Sequence, residues 1–554
     1  SLYLSSGLVQ LGIKQMSGRI GATNNSYEIT LNMRYLEYNH NNVSSYIASA
    51  PNNSNNSTAG FGLFNVLAMS SVNATNSVQY LKLSGNVFYD VYRIADGVRA
   101  NYNFTTFTNN DRTEAGTPRT NDENITLRRT ILSIGGLAGF ANKQFYIKNV
   151  IFGDLYVEGA KSAGGLIGFV HIGDSYSAST TSKIVYESGI ANTGFVNVVG
   201  GLQAGGLIGR IYRSGVEITG ATGGTDIIVR NVESKNANPD ETGMTYYANL
   251  NTGVGGIVGT CWAIDKKNNG TGGADSGESY KGYTTRRLFI TNINVVKGDV
   301  AANVRVLNDS GTKNNYAGGF LGSAHNAYIK LENCKLNGVN VSANVAGGFI
   351  GRVSQKYLLE IFGCSADGNE KSASVSGTRY AGGAVGWAIG RDYMYFQLLN
   401  FTAKDYVIQS TATGTVPAGA GGAVGYAQGD NKAIYDGASY ICQFNNLTVL
   451  NCDITTDYTN KTDDYLKFKC GTGGLIGVID TATDGTDSRN TSNKYKFSGY
   501  NILVQDTTLT HKNGGSAADS TSATNNRIGD LVGNNAVESP LKLVGVSVRN
   551  TGYY

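Results

Sequence analysis

In the stretch "YEITLNMRYLEY" the apolar side chains Tyr27, Ile29, Leu31, Met33 and Tyr35 alternate with Glu28, Thr30, Asn32 and Arg34. A period of two sends successive side chains to opposite faces of an extended backbone, so the stretch predicts a strand with one buried face. "VQYLKLSGNVFYDVYRI" reads the same way. Further along, "QFYIKNVIFGDLYVEG", "YIKLENCKLNGVNVS", "LFITNINVVKGDV", "FQLLNFTAKDYVIQS" and "FNNLTVLNCDITT" share one grammar. An alternating strand is followed by an Asn-centred turn and then a second strand. No helical period separates these segments, and the pattern predicts an all-β chain.

Each pair of strands leads into a glycine signature. "AGGLIG" occurs at 163–168 and again at 204–209, with near-copies "AGGFLG", "AGGFIG", "AGGAVG" and "TGGLIG" further on. The first glycines fall at Gly135, Gly164, Gly205, Gly255, Gly318, Gly347, Gly382, Gly421, Gly473 and, in the worn copy "IGDLVG", Gly529. The intervals of 29, 41, 50, 63, 29, 35, 39, 52 and 56 residues suggest one short unit lengthened by inserted loops. Such a unit predicts a right-handed parallel β-helix of about ten irregular coils, with rungs ~4.8 Å apart. The glycine pair then forms a column lacking side chains, where the backbone bends inward and neighbouring coils approach without Cβ clashes. A nucleotide-binding reading fails, because a strand-rich stretch follows each pair and no copy continues into Gly-Lys-Ser/Thr.

The signature at Gly165–Gly168, Gly206–Gly209, Gly319–Gly322, Gly348–Gly351 and Gly474–Gly477 resembles the GLUG-type repeat proteins, as do the turns Asn333-Cys334, Gly363-Cys364 and Asn451-Cys452. The resemblance spans roughly 131–535 and implies a solenoid in a large secreted or surface-displayed microbial protein. Gly529-Asp530 departs from the signature. Around the repeat region, residues 1–130 read as a β-rich cap or separate module with glycosylated loops. There "GFGLFNVLAM" resembles a decayed glycine strand, and 536–554 reads as a last strand or cap.

Composition agrees with strands and turns: 74 Gly but only 5 Pro, which would delete ladder hydrogen bonds. The net charge of +4 comes from interspersed charges without a basic face, which excludes nucleic acid as a partner. No apolar run is long enough to span a bilayer. The chain begins at Ser1 without a signal peptide, as expected of a processed product or a fragment of a longer one.

The fifteen Asn-x-Ser/Thr sequons begin at Asn24, Asn42, Asn52, Asn55, Asn56, Asn73, Asn103, Asn124, Asn269, Asn308, Asn340, Asn400, Asn446, Asn460 and Asn490. This is a mild excess over the roughly ten that chance would supply. With six cysteines, an even number, the excess points to an extracellular glycoprotein. Cys334 and Cys364 occupy equivalent turns 30 residues apart, so stacked coils predict either a disulfide between them or a buried thiol ladder, the bond being favoured. One further bond is expected among Cys442, Cys452 and Cys470.

Chemistry is sparse. His40, His171, His325 and His511 have no nucleophile placed beside them and read as surface residues. Asp154, Asp174, Glu187, Glu332, Glu360 and Asp405 show no recurring spacing of the kind a glycosidase needs. Asp480, Asp484 and Asp487 loosely resemble a calcium loop but lack its full ligand spacing, so a solvated loop is expected. Tyr, at 34, and Phe, at 19, are expected to stack as ladders, with an exposed glycan-binding face as a lesser option. No catalytic residue, metal or cofactor is expected beyond covalent glycans. The chain therefore reads as a structural subunit of an extracellular filament, sheath or appendage that self-associates through its solenoid ends. A monomeric adhesin stalk and a glycan-active enzyme are the alternatives.

Overall fold

The structure is a computed structural model. It describes residues 2–4, 19–21, 27–37, 60–67, 77–95, 98–101, 113–114, 117–118, 133–141, 143–159, 162–172, 183–212, 214–235, 252–262, 287–307, 315–325, 327–355, 358–390, 395–412, 417–429, 441–458, 470–481, 496–513, 528–535 and 541–554. Among these residues there is no helix, and the strands fall into one sheet of 38, one of 11 and a two-stranded piece. Pairing is parallel except at Thr113–Glu114 with Thr117–Pro118 and at Tyr92–Ala95 with Val98–Asn101. The chain is thus all-β with long parallel ladders.

The expected glycine column is present in register. Gly135 pairs with Gly164, Gly164 with Gly205, Gly205 with Gly255 and Gly255 with Gly318. The series continues through Gly347, Gly382, Gly421 and Gly473 to Gly529. The strand after each glycine pair joins a second ladder, the 11-stranded sheet, running from Phe64–Leu67 through Ile167–Val170 and Ile350–Gln355 to Val532–Asn535. Insertions leave the register intact: Gly255 still meets Gly318 across the 63-residue interval.

The expected boundary at residue 130 is crossed by pairing. Gly60–Phe61 pairs with Ser133–Ile134, Phe64–Leu67 with Ala138–Ala141, and Leu81–Ala95 with Ile151–Glu158. "GFGLF" therefore occupies a rung of the glycine ladder. The tail likewise continues a ladder, with Leu541–Arg549 on Lys496–Gln505.

Two corners use the left-handed backbone region, which costs a side chain with Cβ energy that Asn, Asp and Gly best tolerate. At the first corner Asn149, Asn292, Asn333, Gly363, Asn400, Asn446, Asn501 and Gly545 all have φ between 50° and 66°. The second carries Gly338, Asp405, Asn451, Asp506 and Asn550, with φ of 50° to 65°. Stacked carboxamides bond along both. Asn446 Nδ2 donates to Asn400 Oδ1 (2.8 Å), Asn501 Nδ2 to Asn446 Oδ1 (2.9 Å), and Asn451 Nδ2 to Asp405 Oδ1 (2.6 Å). The Asn-centred turns seen in the sequence are these corners.

The glycines let neighbouring coils approach, as expected, but not by bending the backbone. None of the first glycines lies in the left-handed region, so backbone freedom is not what selects them. Space is. A Cβ on Gly347 would lie 1.9 Å from the Ile350 carbonyl oxygen, on the strand that follows it. A Cβ on Gly348 would lie 2.0 Å from the Gly383 carbonyl oxygen, one rung along. A third column, which includes Gly351, Gly386 and Gly425, faces back: a Cβ on Gly386 would lie 2.5 Å from the Ala346 oxygen and 2.7 Å from the Gly351 oxygen. The second glycine serves the approach of neighbouring rungs, and the first and third also meet backbone of an adjacent rung, Gly347 at the Gly386 nitrogen (2.6 Å) and Gly386 at the Gly351 oxygen. The first and third let two sheets touch backbone to backbone.

Inward positions of the ladders fill one continuous apolar core, including Phe145, Ile184, Ile290, Leu331, Leu398, Phe444 and Ile502. A smaller layer lies between the glycine strands and the 11-stranded sheet: Tyr316, Val345, Tyr380, Tyr426 and Val478, with Trp387 against them. Tyr380 and Tyr426 stack with centroids 4.2 Å apart, as do Phe320 and Phe349 at 4.8 Å, consistent with the expected aromatic ladders.

Gly386→Ala is expected to destabilise the protein by about 2–3 kcal/mol, since its Cβ meets backbone that cannot yield. Gly189→Ala, whose Cβ would meet only Asn149 Oδ1 at 3.5 Å, should be near neutral in the same urea titration. Equal, small effects would show that the close sheet contact is not what holds the fold.

Candidate assembly surface

At the C-terminal end the last rung is Leu541–Arg549 with Gly552–Tyr553, and among the described residues no strand pairs with its outer edge. The alternation that buries side chains elsewhere continues through it. Phe396, Cys442, Phe497 and Leu541 are successive partners in one inward column. Exposure along that column is 1%, 1%, 2% and then 40%. Leu509 is buried at 0%, whereas its partner Tyr553 is 50% exposed. Leu543, Val546, Val548, Ile528, Leu531 and Val532 are only partly buried against the core at this end. Val544 and Tyr554 add exposed apolar surface. Among the described residues this rung therefore combines an unpaired outer edge with a partly uncovered cross-section of core, the combination that invites strand addition.

The opposite end differs. Leu2–Leu4 pairs on the outer side of Tyr27–Glu37, at Ile29 to Leu31, and Leu31 and Met33 are already buried at 0%. Of the opening residues 1–12, "SLYLSSGLVQLG", only Leu2–Leu4 lies within the described residues.

The sequence-predicted chemistry does not converge. Glu187 accepts a hydrogen bond from the Tyr146 hydroxyl, Glu332 pairs with Lys330 at 2.9 Å, and Asp154 accepts from the Phe195 amide at 3.3 Å. Asp405 is held by Asn451 and by Lys404 at 3.0 Å. Glu360 stands beside Lys330 in the register. The described carboxylates are thus spread over separate rungs, Glu332 and Glu360 sharing Lys330 and the others having different partners. His171 stacks on Phe169 and meets Tyr212 edge-on, His325 meets Trp262 edge-on, and His511 Nδ1 lies 3.1 Å from Thr472 Oγ1. These three histidines belong to aromatic or hydroxyl contacts in different rungs; His40 and Asp174 lie outside the described residues.

Asp480 is not in a solvated loop. It is buried as the penultimate residue of the strand Ile476–Thr481 and accepts the Tyr426 hydroxyl hydrogen bond, which corrects the expectation for this residue. Its companions Asp484 and Asp487 lie outside the described residues, and no group of three His, Cys, Asp or Glu side chains able to hold a metal occurs among the described ones.

Charge is instead used across rungs. Lys183 and Arg287 flank Glu217, and although burial pushes its carboxyl up, the hydrogen bonds from both cations outweigh burial and lower it overall.

All six cysteines are free and buried, so the favoured disulfide between Cys334 and Cys364 is not formed. The two do occupy neighbouring rungs: the Cys334 amide reaches Cys364 Sγ at 3.4 Å. Their thiols donate to carbonyl oxygens of the previous rung, Cys334 to Ile290 and Cys364 to Leu331. This is the thiol-ladder alternative, and burial together with the Cys334 neighbour raises the Cys364 thiol well above its ordinary range. Cys442 pairs with Phe396 and Phe497, Cys452 precedes the strand facing Val407, and Cys470 contacts the Ala418 amide. Three separate columns preclude the further bond. Burial pushes the Cys261 and Cys452 thiols up to about 12, which leaves them unreactive in the fold.

Of the sequon asparagines, Asn340, Asn400 and Asn446 fall on ladder positions; the other twelve lie outside the described residues. Three features were not read from the sequence: the packing role of the third glycine of the signature, the Arg and aromatic layer beside Trp387, and the exposed core face of the final rung. The first two carried a signal, since Gly recurs three places after the pair and Tyr precedes Ala-Gly-Gly at Tyr316 and Tyr380. In that layer the Arg352 and Arg379 guanidiniums lie over the Trp387 ring at 5.1 and 5.5 Å.

Comparison with protein-family models, curated proteins and solved structures finds no match to this chain.

Alkylation in denaturant without any reductant is expected to label all six cysteines, whereas the native protein should take up almost no label. Labelling of four or fewer in denaturant would mean that a disulfide exists.

Proposed function

We propose that the chain is a structural subunit of an extracellular filament, sheath or surface appendage. In this reading the parallel ladders close into a right-handed β-solenoid of about ten irregular coils, decorated with N-glycans and devoid of catalytic activity. Copies join end to end, the final rung of one pairing with the leading rung of the next. The observation that carries the reading is the C-terminal rung, where Leu541 and Tyr553 are 40% and 50% exposed while their rung partners are buried. Parallel pairing in register supports it as well, because a strand added here needs the alternation and corner residues that the chain repeats throughout. Head-to-tail contact of this kind is heterologous, and unless rotation closes a ring it grows an open fibre.

The test is assembly. Purified protein should form filaments visible by negative-stain electron microscopy. Val546→Asp, which charges the uncovered core at the end, should abolish them while leaving the circular dichroism spectrum unchanged. Val544→Thr, on the outward face of the same strand, should assemble normally. Isolated rods of the unmutated protein would favour a monomeric adhesin stalk instead.

A further inference from the structure

The core columns can be followed from the leading rung to the last described one. Ile20 pairs with Val78 and Val78 with Ile147, and the same column runs on through Ile290, Leu398 and Gly499 to Leu543. Tyr27 pairs with Leu81, the residue after the left-handed corner at Tyr80 (φ 52°), and Val546 follows the corner at Gly545 (φ 66°). Ile29 pairs with Leu83, three places past Tyr80, and Val548 stands three places past Gly545. Ile20, Tyr27 and Ile29 thus share columns with Leu543, Val546 and Val548. None of the six is fully buried. Tyr27 is 65% exposed where its partner Leu81 is 3%, and the other five are only partly buried against the core. One segment occupies the leading edge. Leu2–Leu4 pairs in parallel with residues 29–31, so Leu2 takes the position that Val548 holds on its own rung, and Tyr3 that of Arg549.

We propose that two copies of this chain join by strand exchange: residues 546–549 of one copy displace Leu2–Leu4 from the outer edge of residues 27–31 of the next. The exchange sets Leu543 beside Ile20, Val546 beside Tyr27 and Val548 beside Ile29, each at the rung spacing of about 4.8 Å. The proposal rests on the filament reading and adds to it a register and a removable cap. Leu2–Leu4 is itself the precedent, since it places a parallel strand on this edge. Docking begins where the leading rung is open, at Ile20 and Tyr27, and finishes at Leu31, which is buried and paired with Leu4. One set of ladder hydrogen bonds replaces another, so the net drive is the apolar surface of Tyr27, Leu543 and Val546 taken out of water.

Cysteines at exposed positions read the register, because the six native ones are buried. Glu28 pairs with Lys82, two places past Tyr80, and therefore matches Ser547. Mild oxidation of assembled full-length protein carrying Glu28→Cys and Ser547→Cys should give covalent head-to-tail oligomers on a non-reducing gel. Glu28→Cys with Arg549→Cys, two places out of register and beyond disulfide reach, should give none. Tyr3→Cys with Arg549→Cys should also give none; linkage of that pair would mean that Leu2–Leu4 stays in place, which overturns the exchange. Deleting residues 1–4 should lower the concentration at which filaments appear by about tenfold, since a competing strand has been removed. An unchanged threshold overturns the cap. Filaments that form but link none of these pairs overturn the register and leave the filament reading standing, whereas protein that forms no filaments with or without residues 1–4 overturns both.

Discussion

The fold depends on a contact between two sheets that leaves no room for a side chain. Where the glycine strand turns into the strand that follows, backbone meets backbone: added Cβ atoms at Gly347 and Gly386 would lie 1.9 and 2.5 Å from carbonyl oxygens. Ordinary sheets pack about 10 Å apart with side chains between them. Here the side chains are removed from one narrow strip, and the layer opens beyond it into the aromatic wedge of Tyr316, Tyr380 and Tyr426. Because only this strip is constrained, the unit tolerates insertions of very different length, and Gly255 finds Gly318 as readily as Gly318 finds Gly347.

The corners supply the second fixed element. A left-handed residue re-aims the chain, and a carboxamide on it bonds to the one stacked next to it, so that a conformational cost is offset by a hydrogen bond along the ladder. Gly363 and Gly545 meet the conformational need without contributing to the ladder. Inside, alternation delivers an apolar side chain to the core at every rung, and the thiols of Cys334 and Cys364 fit this scheme as small buried groups with carbonyl partners. At the last described rung the core cross-section is left partly uncovered at Leu541, Val546 and Tyr553.

Much of this was legible in the sequence because it repeats. Strand alternation, Asn-centred turns and the glycine pair each recur, and recurrence fixes their register relative to one another. The reason for the glycines was legible in part: neighbouring coils do approach where a Cβ would clash, but that two sheets also touch there shows only in the position of the facing carbonyl of Ile350. The disulfide expectation failed for a related reason. Rung spacing places Cys334 next to Cys364, but proximity does not say where a thiol points, and both point to carbonyls. Asp480 was misjudged because the acidic run around it resembles a loop, while its own residue is the end of a strand facing Tyr426. The sequence suggested association through the solenoid ends but not which side chains lie bare there, since exposure is a property of the last rung's neighbours and not of its composition.

Stacking of distant segments in one register is the claim on which the account stands. It can be read directly by pairing introduced cysteines at outward positions of adjacent rungs, where Cα atoms lie within disulfide reach. Lys335 and Ser365 are register partners, whereas Asp367 is the partner of Asn337. Lys335→Cys with Ser365→Cys should close a disulfide under mild oxidation of the folded protein, detected as a linked peptide, and Lys335→Cys with Asp367→Cys should not. Equal cross-linking of both pairs, or of neither, would contradict the ladder.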